Sequence, residues 1–409
     1  MMARDFEPGA KCPLDGIRVL DLSRLVAGNM VSLALADFGA EVLKIEDPKK
    51  GDPLRDWQET GPANPEGVSV FWKVYARNKK SVTLNLRSDR GREIVRELVR
   101  GCDLLIESFR VGTLEEMGLG PEDLLHINPT LVVIRVSGWG QTGPYADHPG
   151  FGSLVEAMAG YAAKNGFPGQ PPMLPNLALA DMVAGLWGAY AAMVAIHEVK
   201  VNGGAGQIID LSLLEPLISI LGPDALTYRI TGEVPAKTGN RTSISAPRNV
   251  YRTRDGGWVA LSASIQSMTE RLFHAMGRPD LVDDPRFRTN LDRRNNVEEL
   301  DRMIQEYVEK LSLDECVEYF RKMQVTIGPV YDISQIVQDH HIVERGVLVE
   351  LPDAELGSVP MHDVLPRLSG TPGRLRTPAP GLGEHTDAIL ARLGIGAAAR
   401  AQLKKDGVT

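Results

Sequence analysis

One carboxylate stands out for chemistry. Asp181 lies in Leu177-Ala-Leu-Ala-Asp-Met-Val-Ala-Gly-Leu-Trp-Gly188, where every neighbour is apolar or glycine. By spacing alone, a helix N-cap is the favoured reading, since aspartate prefers that position. A reactive carboxylate is compatible with it. A carboxylate at a helix N-terminus is held as the anion, and an ionised carboxylate attacks an acyl carbon without a base. Its weak nucleophilicity is relieved where water is excluded. Gly138-Trp-Gly-Gln-Thr-Gly143 spells GxGxxG after an apolar run. A dinucleotide fingerprint needs a helix directly behind it, and Pro149 would break that helix within two turns. Glycines at the carboxyl end of a parallel strand instead let a ligand approach the backbone closely. Arg77-Asn-Lys-Lys80, with Arg87 beyond it, reads equally as a phosphate-binding cluster or a solvated face. The eight histidines form no HExxH pair, and no GxSxG elbow occurs, so zinc-protease and serine-hydrolase chemistry lack support.

Composition bounds the answer from outside. The chain has 409 residues and a formal net charge of −8, which argues against a broad nucleic-acid surface. Cys12, Cys102 and Cys316 are far apart, so the expectation is a reducing, cytoplasmic setting without disulfides or a metal knuckle. The first residues lack an apolar signal core. The longest uncharged stretch, Met182–Ile196, is too short for a bilayer and reads as a tightly packed internal helix.

The elements that must position Asp181 follow from periodicity. Strands are expected at 17–22, 41–46, 82–86, 103–109, 131–137 and 207–213. Helices are expected at 26–38, 89–99, 153–159 and 182–199, with short ones at 113–117, 121–127 and 214–221. Apolar strands alternating with helices imply a parallel sheet covered on both faces. The character changes near Gly222. Residues 249–254 and 258–263 form a hairpin around Asp255–Gly257, and Ser312-x-x-Glu315 is a capping box. The tail holds a strand near 347–351 and a last helix near 386–393.

Several stretches together resemble the family III CoA-transferases, the formyl-CoA and carnitine CoA-transferase family. They are Leu14-Asp-Gly-Ile-Arg-Val-Leu-Asp21, Ala36-Asp-Phe-Gly-Ala-Glu-Val-Leu-Lys-Ile-Glu46 with Gly51-Asp-Pro-Leu-Arg55, Asn78-Lys-Lys-Ser81, Gly138 to Pro144 and Gly383-Glu-His-Thr386. The resemblance implies an α/β fold in an interlocked homodimer. Each chain would have a Rossmann-like large domain with a parallel sheet, formed by 1–221 and 331–409, and a smaller α+β domain, 222–330. It implies coenzyme A and acyl-CoA as substrates with a small carboxylic acid, and no tightly bound cofactor, metal, nucleic acid or membrane. Asp181 falls on the family's catalytic aspartate, which passes through a mixed anhydride and an aspartyl-CoA thioester. The family's CoA contacts fall on Val26 and Ala27, on Asn85, Leu86 and Arg87, on Ser108, Phe109 and Arg110, and on Ser137, Gly138, Trp139 and Gly140. Arg87 and Arg110 would pair with phosphates and Phe109 would pack on the adenine.

Departures narrow the choice. Glu116 and Pro48 stand where the family often has basic residues, and Lys237-Thr-Gly-Asn-Arg241 replaces a glycine-rich flap, which does not support oxalate specificity. The family's α-methylacyl-CoA racemases use a Gly-His-Asp motif where this chain has Gly150-Phe-Gly152, so two-base proton exchange lacks its histidine. A non-catalytic CoA-binding protein and a nicotinamide oxidoreductase are the remaining alternatives. Succinyl-CoA is the expected donor. An acceptor with a second carboxylate calls for a cation, for which Arg241 and Arg248 are candidates.

Overall fold

The structure, a computed structural model, describes residues 1–62, 64 and 67–409. The chain folds into two compact units. The larger comprises 1–160, 175–222 and 340–409, and the smaller 161–174 and 223–339.

Six short runs form one parallel sheet in the larger unit. They are β1 (Arg18–Asp21), β2 (Glu41–Glu46), β3 (Lys79–Thr83), β4 (Leu104–Glu107), β5 (Val132–Ser137) and β6 (Ile208–Ser212). Their order is β3-β2-β1-β4-β5-β6, with Val19 paired to Val42 on one side and Leu104 on the other. In this doubly wound order the chain runs outward from β1 in both directions, which opens a crevice at the carboxyl ends of β1 and β4. Helices cover both faces, as the continuous apolar strands require. On one side lies α1 (Ala27–Ala36), with α2 (Asp89–Val99) on the other. Ser88 caps α2 by accepting the Gly91 N–H. Two further helices follow, α3 (Gly152–Met158) and α4 (Leu179–Lys200).

The close approach of α4 to α1 depends on small residues. A Cβ at Gly188 would stand 2.6 Å from both Val31 Cγ2 and Leu211 Cδ2, so any larger residue would push α4 off α1 and β6. At 22 residues, α4 outruns the uncharged stretch at both ends, and by length and composition it could cross a membrane. The packed-helix reading holds for one face alone. Ala184, Gly185, Gly188 and Ala192 are buried, whereas Leu186, Trp187, Tyr190 and Val194 are exposed.

In the smaller unit, β7 (Arg248–Arg252) and β8 (Trp258–Ser262) form the expected antiparallel hairpin, and β9 (Ile327–Pro329) pairs with β8. Helices α5 (Gln266–Ala275), α6 (Val297–Val308) and α7 (Leu313–Lys322) pack Leu272, Ile304 and Phe320 against Tyr251, Val259 and Leu261. The Ser312–Glu315 capping box opens α7.

Two expectations need correction. The third strand spans Lys79–Thr83, three residues earlier than its apolar pattern suggests, because the polar Lys79, Ser81 and Thr83 occupy its buried positions beside Val82. Arg77 is fully buried and grips Asp37 with two nitrogens, Nε at 3.1 Å and Nη2 at 2.6 Å. Lys79 is buried and donates to Asn29 Oδ1 at 2.9 Å, and Lys80 pairs with Glu41. Arg77 and Lys79 are therefore structural, whereas Arg87 beyond them is exposed. At the other end of the chain, Thr386–Arg392 is followed by one more helix, Ala397–Lys405. Its Leu403 joins the apolar core under α2.

Candidate active site

The β1–α1 turn is built on buried charge. Leu25 has φ +62°, a left-handed conformation that costs a branched residue energy. Its N–H donates to Asp52 Oδ1 at 3.0 Å, and Asp52 Oδ2 accepts from Asn29 Nδ2 at 2.8 Å. Lys44 Nζ lies 3.0 Å from Asp52 and 3.2 Å from Asp21, all within the interior. Burial would lower the Lys44 pKa, but Asp21 and Asp52 outweigh it and raise it. Lys79, with weaker partners, is pushed by burial down to about 7. This network holds the strained turn in place so that Ala27 opens α1 at the sheet's crevice.

Asp181 faces that crevice. It is the third residue of α4, whose N-cap is Ala178, so the N-cap reading is corrected: the residue at the cap position is an alanine with no side chain to accept a bond. The N2 amide, Ala180 N–H, is taken instead by the buried Glu156 of α3, at 3.1 Å. Gly152 of α3 is packed so closely that a Cβ there would overlap Asp181 Oδ2 and lie 3.5 Å from Cγ. Burial, and secondarily the Glu156 charge, raise the Asp181 pKa to about 6, while the N–H groups of Asp181 and Ala27 oppose the rise. The result is a carboxylate ionised at neutral pH yet more basic than an ordinary aspartate.

A cavity of about 500 Å³ joins Asp181 to the switch point of the sheet. Of the residues picked from the sequence, Ala27, Ser108, Phe109, Arg110, Ser137 and Gly138 line it with Asp181. The others do not. Val26 is buried against Leu54 and Trp72. Trp139 Nε1 donates to the Pro149 carbonyl at 3.2 Å, and Gly140 N–H donates to Ser137 Oγ at 3.0 Å. Asn85 is tied to the C-terminal segment through Val408 and Gly407, Leu86 packs on the core beneath α2, and Arg87 N–H donates to Asn85 Oδ1.

The cavity also holds residues that sequence reasoning missed: Arg24, Asp147 and His148. Arg24 N–H donates to Ser108 Oγ at 2.9 Å, and its guanidinium lies 5.3 Å from the Phe109 ring centre. His148 stacks on Tyr145 at 4.9 Å. Arg24 could have been found, since it directly follows the first strand. His148 had no sequence signal, because the loop that folds it back has no periodicity. The arrangement offers a buried nucleophilic carboxylate, a nearby backbone N–H at Ala27, and cations at the cavity rim.

Comparison with known proteins decides the class. The family model for CoA-transferase family III matches residues 14–386. The chain belongs to the family III CoA-transferases. It is 41% identical over 381 residues to a succinyl-CoA–D-citramalate CoA-transferase of Chloroflexus aurantiacus, covering 93% of this chain and 94% of that one. It is 34% identical over 394 residues to a succinate–glutarate CoA-transferase of Agrobacterium fabrum, covering 94% and 97%. A crystal structure of a CaiB/BaiF family protein from Brucella suis superposes with a TM-score of 0.82 at 31% identity, covering 94% of this chain and all of that one.

In this CoA-transferase the two flap arginines part company. Arg241 Nε donates to Asp301 at 2.6 Å, and Asp301 also accepts from Tyr251 and Asn249. That hub anchors the turn at Thr238–Arg241, so Arg241 is structurally engaged. Arg248 has no ion pair among the described residues and lines a cavity of about 520 Å³ in the smaller unit, with Asn240, Asn249, Ser262 and Thr326. At the racemase motif, Phe151 is 62% exposed and Gly152 leaves no room for a side chain beside Asp181.

Proposed function

We propose that this CoA-transferase moves CoA from succinyl-CoA to a small dicarboxylic acid through covalent intermediates on Asp181. Asp181 Oδ attacks the thioester carbonyl and expels CoA thiolate, giving a mixed anhydride. The thiolate attacks Asp181 Cγ and releases succinate, leaving an aspartyl-CoA thioester. The acceptor carboxylate then reverses both steps. Each tetrahedral intermediate needs a donor for its oxyanion, and the backbone N–H of Ala27 is suited to that task. The observation that carries the reading is the Asp181 carboxylate, held by burial at a pKa of about 6 and lining the cavity at the sheet's switch point.

Related enzymes support the substrates: two named relatives act on D-citramalate and on glutarate, both dicarboxylic acids. Of the two cation candidates in the smaller unit, Arg241 is engaged by Asp301, whereas Arg248 has no ion pair among the described residues. Arg110 and Ser108 remain the CoA contacts this reading favours, and Arg24 joins them. Asn85, Leu86 and Arg87 stay outside it. The exposed apolar side chains of α4, with Leu186, Tyr190 and Val194 each more than half exposed, support burial against a second copy in a homodimer. Three free cysteines suit a reducing, cytoplasmic setting.

The test combines purified protein, succinyl-CoA and a pool of mono- and dicarboxylic acids, with product masses read by chromatography and mass spectrometry. New acyl-CoA thioesters are expected from the native protein and none from Asp181→Ala. Thioesters that persist in the variant would refute the covalent role. One observation favours a second reading: His148 brings an imidazole to the cavity, as α-proton exchange would require. Solvent deuterium entering 2-methylacyl-CoA would establish that reaction.

A further inference from the structure

A buried carboxylate without a cation calls for an explanation. Glu156 is 2% exposed and forms no ion pair among the described residues. It accepts a hydrogen bond from the Ala180 N–H at 3.1 Å, one residue before Asp181. A neutral side chain could accept that bond equally well, so capping α4 does not require a charge there.

We propose that Glu156 is a positioning residue for the transfer, whose buried carboxylate anchors the start of α4 and favours the acylated forms of Asp181 over its free carboxylate. The inference rests on the Asp181 reading above. As the thioester or anhydride, Asp181 carries no charge, and its repulsion with Glu156 disappears. As the free anion, it sits one residue from the amide that Glu156 holds, and Glu156 itself is shielded from water. Like charges in such a site raise the energy of the ionised state, and the direction of the Asp181 shift agrees. The covalent step is therefore driven partly by relief of that repulsion.

The charged neighbours are few enough to isolate this effect. Arg24, Arg110, Asp147 and His148 stand on the cavity wall. α1, packed on α4, contains no ionisable residue. The helix Leu214–Ile220, packed on α3 and α4, brings Glu215, which is engaged by Ser212. The strands β5 and β6, also packed on α4, bring Arg135, paired with Glu107 and Glu115, and Asp210, which accepts from the Gln141 N–H. The remaining acidic and basic residues of α4, His197, Glu198 and Lys200, lie at its far end.

The experiment compares native protein with Glu156→Gln and Glu156→Asp at a fixed succinyl-CoA to succinate ratio. The first variant keeps the acceptor for Ala180 and loses the charge; the second keeps the charge. Borohydride reduction and peptide mass spectrometry report the fraction of Asp181 carrying acyl or CoA, and kcat/KM for succinyl-CoA is followed against pH. In Glu156→Gln the acid limb should move down by about one pH unit and the trapped fraction should fall about tenfold relative to free Asp181. In Glu156→Asp both should stay within about twofold of native. An unchanged limb and trapped fraction in Glu156→Gln would overturn the inference alone, as would an equal shift in Glu156→Asp. Absence of any adduct on Asp181 in the native protein would overturn the covalent reading itself, and this inference with it.

Discussion

Gly152→Ala is the sharpest probe of the site. The added methyl would overlap Asp181 Oδ2, with Cγ 3.5 Å away and Ala180 Cβ 3.9 Å away. Ala180 is fully buried at the start of α4, so the carboxylate is the group with freedom to yield. Restoring an ordinary contact requires it to move about 1 Å, and misplacement of that size costs about 10²-fold in rate. The stability cost should stay at about 1–3 kcal/mol, typical of one added methyl in a packed site. The assay is formation of the acceptor's CoA thioester from succinyl-CoA, read by chromatography, together with the CoA dissociation constant and a urea melt. The expected pattern is kcat/KM reduced about 10²-fold with CoA affinity unchanged. Full activity in Gly152→Ala would mean that the reacting group is elsewhere or that the overlap is relieved without cost. Either result would refute the reasoning.

Four further outcomes follow from the same geometry. The reacting form is the Asp181 anion, so kcat/KM should fall as pH drops through about 6. Because burial raises this acid above its unfolded value, its proton-linked stabilisation is present at low pH and lost as pH rises through about 6. Asp181→Asn should therefore gain up to about 3 kcal/mol at pH 8 and less at pH 5, read from urea midpoints; an equal gain at both would contradict the linkage. Arg241→Gln should lower stability by about 1–3 kcal/mol, since it breaks up the Asp301 hub. Tyr190→Glu, on the exposed face of α4, should shift the mass measured by light scattering from dimer to monomer. A dimer unaffected by that charge would exclude this face as the interface.

Much of the larger unit was legible because its signals are local. β2 and α2 fall where periodicity places them, at Glu41–Glu46 and Asp89–Val99, since alternation of apolar runs and caps is a property of adjacent residues. β3 was misplaced because its interior is lined by charge: Lys79 is buried with Asn29 and Arg77 with Asp37, partners that are distant in sequence. A hydropathy pattern cannot register a lysine neutralised across strands. The final helix, Ala397–Lys405, was missed because its short, weakly amphipathic sequence shows one buried leucine.

By itself, the sequence determined the class of the fold, the unusual aspartate at position 181 and, by resemblance, the CoA-transferase family. Each of these depends on residue type and short-range order. The tertiary structure decided which of the proposed contacts share a cavity. Ser108, Phe109 and Arg110 meet Asp181 because β4 neighbours β1 at the switch point, while Asn85 to Arg87 leave from β3 at the sheet's edge. It also placed Gly152 against Asp181, set Glu156 on the neighbouring Ala180 amide and tied Arg241 to Asp301. These are relations across packed elements, in which burial and proximity set the chemistry of a carboxylate whose own neighbours in the chain are almost all apolar.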